Sequence, residues 1–277
     1  MWQMPTITGC RSLNWLSNHL DDVTDQIVGG PLLTIIIPVY NEEAILVRSV
    51  TALTEALEPL ELDYELLICE NGSTDSTAAL ARALMAEHPQ IRLESLPEAG
   101  YGRALRHGIA EARGSLIAVF NIDFWDVAFL HQALELLQSC DLVVGSKAAP
   151  GSRDSRPFFR RLITRSFILS LRILFGFPGT DTHGIKDFRA DRILPVIRSC
   201  QTNDEIFDTE IMLRAHRAGL RLCEIPVSVQ EMRPSRYSLW RRVPSTFRDL
   251  VWLIRVLGIR GWGARRIPRA FRERDTV

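Results

Sequence analysis

The sequence predicts an α/β fold: a mostly parallel sheet flanked by helices, with a Rossmann-like nucleotide-binding half. Three observations carry this. Short, apolar, β-branched runs alternate with longer helical patterns, which is the order of βαβ units. The runs Thr34-Ile35-Ile36-Ile37 and Leu66-Leu67-Ile68 are continuously apolar, as strands buried on both faces must be. The chain has 277 residues, 46% hydrophobic and 24% charged, an ordinary globular composition that can bury a full core.

In chain order, residues 1–30 form an N-terminal extension in which Trp15, Leu16, His19 and Leu20 share one helix face before Gly29-Gly30-Pro31. The main domain is expected over residues 31–235. Its strands are predicted at 33–38, 65–70, 91–95, 116–121 and 141–145, separated by helices at 42–57, 74–87, 102–113 and 127–139. Further helices are predicted from Pro157 onward and over 205–218. Residues 236–277 read as a basic amphipathic C-terminal segment. Arg241, Arg248 and Arg255 repeat every seven residues, and Phe247, Leu250, Val251, Ile254 and Leu257 line a broad apolar face with Trp252 beside it. That pattern suits a helix lying in a membrane interface, with packing on the domain as the alternative.

Composition excludes collagen, coiled coil and wholesale disorder. The apolar runs are shorter than the ~18 residues that span a bilayer, and residues 1–30 lack a basic stretch followed by an apolar one. A cytoplasmic, peripheral location is therefore expected. The five cysteines have neither zinc-ligand nor redox spacing, which predicts a reducing compartment and no disulfide framework. The net charge of zero divides into −12 over residues 1–140 and +12 over 141–277. The acidic half suits a metal or a sugar, and the basic half suits phosphates or an anionic membrane. No dinucleotide or phosphate-loop signature occurs, and without base-reading motifs nucleic acid is not an expected partner.

In an open α/β sheet, ligands sit beyond the carboxyl ends of the strands. Polar clusters follow three of them: Pro38-Val39-Tyr40-Asn41-Glu42-Glu43, Glu70-Asn71-Gly72-Ser73-Thr74-Asp75, and Asn121-Ile122-Asp123-Phe124-Trp125-Asp126. Asn41, Ser73, Asp75 and Asp126 could equally cap helices. Asp123 is the best candidate for a hard divalent cation, with Asn121 offering a neutral oxygen and Asp126 a second carboxylate. Residues 147–172 hold Lys147 and six arginines against Asp154. On a helix from Pro157, Arg161 and Arg165 share one face, and Arg160 and Thr164 another. Such arginines could grip a phosphate or form a solvated face. Asp208 and Glu210 open another helix, where acidic residues are favourable. Asp208 is also the base candidate for a hydroxyl acceptor.

The three clusters, together with Gly100-Tyr101-Gly102-Arg103-Ala104, resemble the family 2 glycosyltransferases of GT-A fold, over about residues 32–235. Gly145-Ser146-Lys147, Asp181-Thr182-His183-Gly184-Ile185-Lys186, Phe207-Asp208-Thr209-Glu210 and Glu224-Ile225-Pro226-Val227 look like the branch containing dolichyl-phosphate mannose synthase. The resemblance implies an inverting enzyme that moves a hexose from a GDP- or UDP-sugar to a polyprenyl phosphate at the cytoplasmic membrane face, using Mg²⁺ or Mn²⁺. It implies that Pro38, Tyr40 and Glu42 line the base and ribose pocket and that Glu70 stands where the base is read. Gly72, Ser73, Gly100, Gly102, Arg103 and Lys147 fall on the donor side, and Asn121 and Asp123 where the cation is held. Arg160, Arg161 and Thr164 fall where acceptor-phosphate ligands lie, and Asp181 would point at the sugar or that phosphate. Asn121 replaces the usual first Asp of the metal motif, and Glu70-Asn71 replaces Asp-Asp. The alternatives are a hydroxyl acceptor with Asp208 as base, and a nucleotide-sugar-binding protein without turnover.

Overall fold

The computed structural model describes residues 31–154, 156–229 and 239–259. The N-terminal extension and the tail from residue 260 lie outside the described residues, as does the side chain of Arg241.

Strands β1 (Leu33–Val39), β2 (Tyr64–Asn71), β3 (Ile91–Leu96), β4 (Leu116–Val119) and β5 (Leu142–Ser146) fall on the five apolar runs. Helices α1 (Leu46–Leu57), α2 (Thr77–Glu87), α3 (Tyr101–Glu111) and α4 (Val127–Leu136) separate them. There follow β6 (Arg153–Asp154), α5 (Phe158–Phe175), β7 (Lys186–Arg189), α6 (Ala190–Ser199), α7 (Phe207–Arg217), β8 (Leu222–Pro226), β9 (Ser228–Val229) and α8 (Leu239–Leu257).

Helices α1 and α2 start later than their periodicity suggests. The preceding residues give their N–H groups to side chains of the facing loop instead of to a first turn: Glu42 N–H donates to Thr77 Oγ1 at 2.8 Å and Ser76 N–H to Glu43 Oε2 at 2.9 Å.

The main sheet has seven strands in the order β3-β2-β1-β4-β7-β5-β8. It is parallel except for β7, which runs antiparallel to both β4 and β5. Lys186-Asp187-Phe188-Arg189 carries no apolar run, so periodicity does not reveal it as a central strand. Helices α1, α2 and α4 cover one sheet face, over a core containing Ile35, Ile37, Leu53, Phe120 and Phe129. Helices α3, α5, α6, α7 and α8 cover the other, over Ile36, Leu105, Phe188, Ile193 and Phe207.

Two expectations are corrected. The apolar face of α8 is turned largely into the protein. Leu253 and Leu257 are buried, Leu250 and Ile254 pack against the same core, and Arg217 Nη2 ties the helix end down at Gly258 O, 2.8 Å away. Of the five apolar residues expected to meet a membrane, Phe247 alone is exposed. Secondly, Cys140 and Cys223 form a disulfide, with their Cα atoms 6.2 Å apart. They are 83 residues apart in sequence, so spacing hides the pair. The parallel pairing of β5 with β8, which sets Cys223 beside Val143, brings the two sulfurs together at the sheet edge. Cys69 and Cys200 are buried and free.

Candidate active site

The carboxyl ends of β1, β2 and β4 lie side by side, so the three polar clusters converge on one cleft. Much of their polarity is used in building it. Asn41, in a left-handed conformation (φ 53°), accepts the Thr74 N–H at 2.8 Å and donates its own N–H to Ser73 Oγ at 3.0 Å. Asp75 takes the Thr77 N–H at 2.9 Å in a local turn just before α2, whose N-cap residue is Ser76 and makes no side-chain cap bond. Asn71 Nδ2 donates to Val39 O at 2.7 Å, and Asn71 Oδ1 accepts from Gly100 N–H at 3.0 Å, linking three loops. Glu70 is buried and accepts the Ser73 N–H at 2.5 Å. Pro38 and Glu42 are half-buried, and Tyr40 is exposed at the rim.

Two glycines in this frame are required by geometry. Gly72 has φ +70°, and a Cβ there would sit 3.0 Å from the backbone of Glu98 and Ala99. A Cβ on Gly102 would sit 2.5 Å from Asp204 O, so only glycine lets the start of α3 rest against the loop before α7. Arg103 N–H donates to Asn203 O at 3.1 Å across that contact, while the Arg103 guanidinium pairs with Glu98.

Asn121-Ile122-Asp123-Phe124 forms a tight turn in which the Asn121 and Phe124 backbones exchange two hydrogen bonds, each 3.1 Å. Ser49 of α1 holds it, bonding to Ile122 O and accepting the Trp125 indole N–H at 3.1 Å. Asp123 is thereby presented to solvent, with Asn121 half-buried beside it. Asp126 caps α4, its Oδ1 accepting the Phe129 N–H at 3.0 Å. Among the described residues no three His, Cys, Asp or Glu side chains form a metal-holding group. One carboxylate and one amide oxygen nonetheless suit a cation held mainly by a donor diphosphate, the usual habit of Mg²⁺.

The far wall is built by residues 180–184. Asp181 is buried and accepts from the backbone N–H groups of His183 (2.9 Å) and Lys147 (3.3 Å), with the Lys147 ammonium 3.8 Å away. Burial alone would raise its pKa. The Lys147 charge, His183 and these hydrogen bonds outweigh that and hold the carboxyl below its usual range. Glu224 on β8 supports this loop from behind, accepting from Thr180 N–H (2.6 Å), Thr180 Oγ1 (2.7 Å) and Asp181 N–H (3.4 Å).

Asp208, the base candidate, lies at the start of α7 with 2% exposure. Lys186 Nζ is 3.2 Å from its Oδ1, and the Tyr101 hydroxyl donates to Oδ2 at 3.1 Å. Burial, then the Asp208 charge, pushes the Tyr101 phenol well above its ordinary pKa. Glu210 serves structure, accepting the backbone N–H groups of Gln201 and Thr202 and pairing with Arg214 at 2.7 Å. His183 stands between Asp181 and Asp208, close enough to feel both charges. Desolvation lowers its pKa nonetheless, although the residue keeps an exposed edge. The ring faces Phe167 of α5, centroids 6.4 Å apart. Arg160 precedes Phe167 by seven residues and shares its helix face, so α5 leads from the cleft to the arginines. Arg161 Nε is buried and has no hydrogen-bond partner among the described residues.

The structure therefore gathers Lys147, Asp181 and Asp208 round His183, with Asp123 at the neighbouring strand end. Sequence reasoning assigned no role to Lys186, Tyr101 or Glu224.

The family model described as Glycosyl transferase family 2 matches residues 34–192. The dolichyl-phosphate beta-glucosyltransferase of Saccharomyces cerevisiae is 30% identical over 87% of the chain and 78% of its own length. Glycosyltransferase AglD of Haloferax volcanii is 29% identical over 77% of the chain, which spans 35% of the length of that protein. The mannosyltransferase PcManGT of Pyrobaculum calidifontis, solved with GDP-Man and Mn²⁺, superposes with a TM-score of 0.56 at 21% identity, over 82% of this chain and 65% of that one. That likeness places the architecture in the GT-A fold.

Proposed function

The chain belongs to glycosyl transferase family 2, and from that premise we propose that it transfers a hexose, with inversion, from a nucleotide diphosphate sugar to a polyprenyl phosphate at the cytoplasmic face of a membrane. The observation that carries the acceptor is the engagement of Asp208 by Lys186 and Tyr101. A hydroxyl acceptor needs a general base free to take its proton. A phosphate monoester is already anionic near neutral pH and needs orientation and charge balance, which arginine supplies through paired N–H donors. Arg160 and Arg161 are the residues for that task. The S. cerevisiae relative, named for dolichyl phosphate, supports the same acceptor class.

On the donor side, Pro38, Tyr40 and Glu42 border the base and ribose, with Glu70 and Ser73 below them and Gly72, Gly100, Gly102 and Arg103 shaping the diphosphate side. Asp123, assisted by Asn121, would hold a divalent cation, Mg²⁺ or Mn²⁺. When bound, that ion stabilises the charge of the departing diphosphate. Lys147 supplies fixed positive charge on the same side, tethered by Asp181, whose carboxylate stays ionised and can orient sugar hydroxyls. His183 can donate or accept a hydrogen bond at this wall through its ring nitrogens.

Thermal shifts with GDP, UDP, dTDP and ADP, each with and without Mn²⁺, test the donor half. The expected result is stabilisation by one nucleotide that grows with the metal. No shift with any of them removes the donor site. Transfer to a short-chain prenyl phosphate, set against the matching prenol, tests the acceptor half. Equal use of the prenol would restore Asp208 as a base.

A further inference from the structure

We propose that helix α5 lays its outer face in the surface of an anionic lipid bilayer. Phe158, Phe159, Leu162, Leu169 and Ile173 are all between 47% and 70% exposed. They make up five of the nine exposed large apolar side chains among the described residues, and all stand on this one 18-residue helix. At about 100° per residue they fall on a single arc opposite the buried Ile168, Leu171 and Phe175. An apolar arc of this kind turned to water calls for a cover.

The charge beside the arc points to what covers it. Arg161, Arg165 and Arg172 follow one edge, and the helix contains no acidic residue. Arg165 and Arg172 are exposed, the latter also reaching Gly179 O at 3.3 Å. A protein partner of ordinary composition would match the apolar arc but not a one-sided row of guanidinium groups. Anionic headgroups above an acyl layer match both. Helix α8, which packs against α5, carries a further exposed aromatic, Phe247. No described helix is long and apolar enough to cross a membrane, so the contact is one that lies in the interface.

The proposal rests on the polyprenyl-phosphate reading and adds geometry to it. The same helix carries Arg160 and Phe167 toward the cleft and its apolar arc toward lipid. A phosphate on a membrane-anchored chain then arrives at the arginines without the prenyl tail leaving the bilayer.

Flotation of the full chain with vesicles tests this, using phosphatidylcholine alone and phosphatidylcholine with phosphatidylglycerol. The wild type should float with the anionic vesicles, and added salt should weaken the association. The triple variant Leu162→Gln, Leu169→Gln, Ile173→Gln should lose ~10-fold or more in vesicle partitioning. Its nucleotide-induced thermal shift should match the wild type, since these side chains touch no part of the donor site. If the triple variant does not fold, Leu169→Gln alone should still lower partitioning severalfold. A folded variant that floats like the wild type overturns the proposal and puts the anchor elsewhere. So does a wild-type dimer in vesicle-free buffer that the variant abolishes, because a second copy would then cover the face. Nucleotide binding without flotation sinks the docking surface alone. Flotation without nucleotide binding sinks the donor reading and leaves the surface standing.

Discussion

Lys186 Nζ lies 3.2 Å from Asp208 Oδ1, with both side chains at most 4% exposed. The pair joins the one antiparallel strand of the main sheet to the helix that walls the cleft, and it sits where neither charge can find water. Removing one partner of a buried pair strands the other, at a cost of about 3–5 kcal/mol. Lys186→Met is therefore expected to lower unfolding stability by about that much. The double variant Lys186→Met, Asp208→Asn should recover part of the loss. Urea denaturation of the two variants checks this, and a single variant as stable as the wild type would remove the pair from the account.

Asp187, the next residue, faces the opposite core between Ala118 and Val143. It is fully buried, neither carboxylate oxygen has a hydrogen-bond partner among the described residues, and burial raises its pKa well above the ordinary value. A carboxyl whose folded-state pKa lies above its unfolded value of ~3.9 destabilises the fold progressively as pH rises past that value. Asp187→Asn should match the wild type near pH ~4 and become the more stable of the two as pH climbs toward neutral. Melting temperatures across that range decide the matter. A constant difference between the two proteins would mean that the group does not titrate on folding.

Asn121→Asp adds a second hard ligand beside Asp123. The expected outcome is tighter Mn²⁺-dependent nucleotide binding, by about 10-fold, with metal-free binding little changed. Titration calorimetry with and without the metal separates the two.

Glu224 supports Asp181 from behind through Thr180. Glu224→Ala leaves the Thr180 and Asp181 N–H groups without an acceptor and should cost about 1–3 kcal/mol of stability. It should also lower kcat/KM by roughly 10-fold as Asp181 loses its position. Glu224→Gln, which keeps an acceptor oxygen, should restore most of both. An alanine variant with lost stability and unchanged kinetics would confine Glu224 to a structural role.

The Cys140–Cys223 disulfide closes a long loop across the sheet edge. Reducing it should cost about 2–5 kcal/mol, and Cys140→Ser should melt at the same temperature with or without reductant. A wild type indifferent to reductant would show that the bond does not form in solution.

The sequence reveals much of the fold because β1, β2, β4 and β5 are largely buried on both faces and carry continuous apolar runs at their centres. Helices α3 and α4 follow them with one-sided periodicity. Strand β7 is hidden because three of its four residues are charged, and only its strand pairing with β4 and β5 carries Lys186 and Asp187 inside. The site is partly legible for a related reason. Asp123, Asp181 and Asp208 stand in recognisable patterns, but pattern does not say which oxygens are already engaged. Asp126 caps a helix and Glu210 binds backbone, each using an acidic residue like those facing the cleft. The disulfide and the exposed arc of α5 depend on which elements become neighbours, information that no local window contains.

The central place of β7 has a consequence for how the protein is made. Strands β1 to β4 are synthesised first, yet the free edge of β4 has no neighbour until Lys186–Arg189 emerges, after α4, β5 and α5. Until then the nascent sheet exposes an unpaired strand edge, a template for joining another chain. Folding of the second half must therefore wait on a late and distant segment, which is the condition for slow, chaperone-dependent assembly. Truncations ending before residue 186 would be expected to aggregate rather than to yield a smaller folded domain.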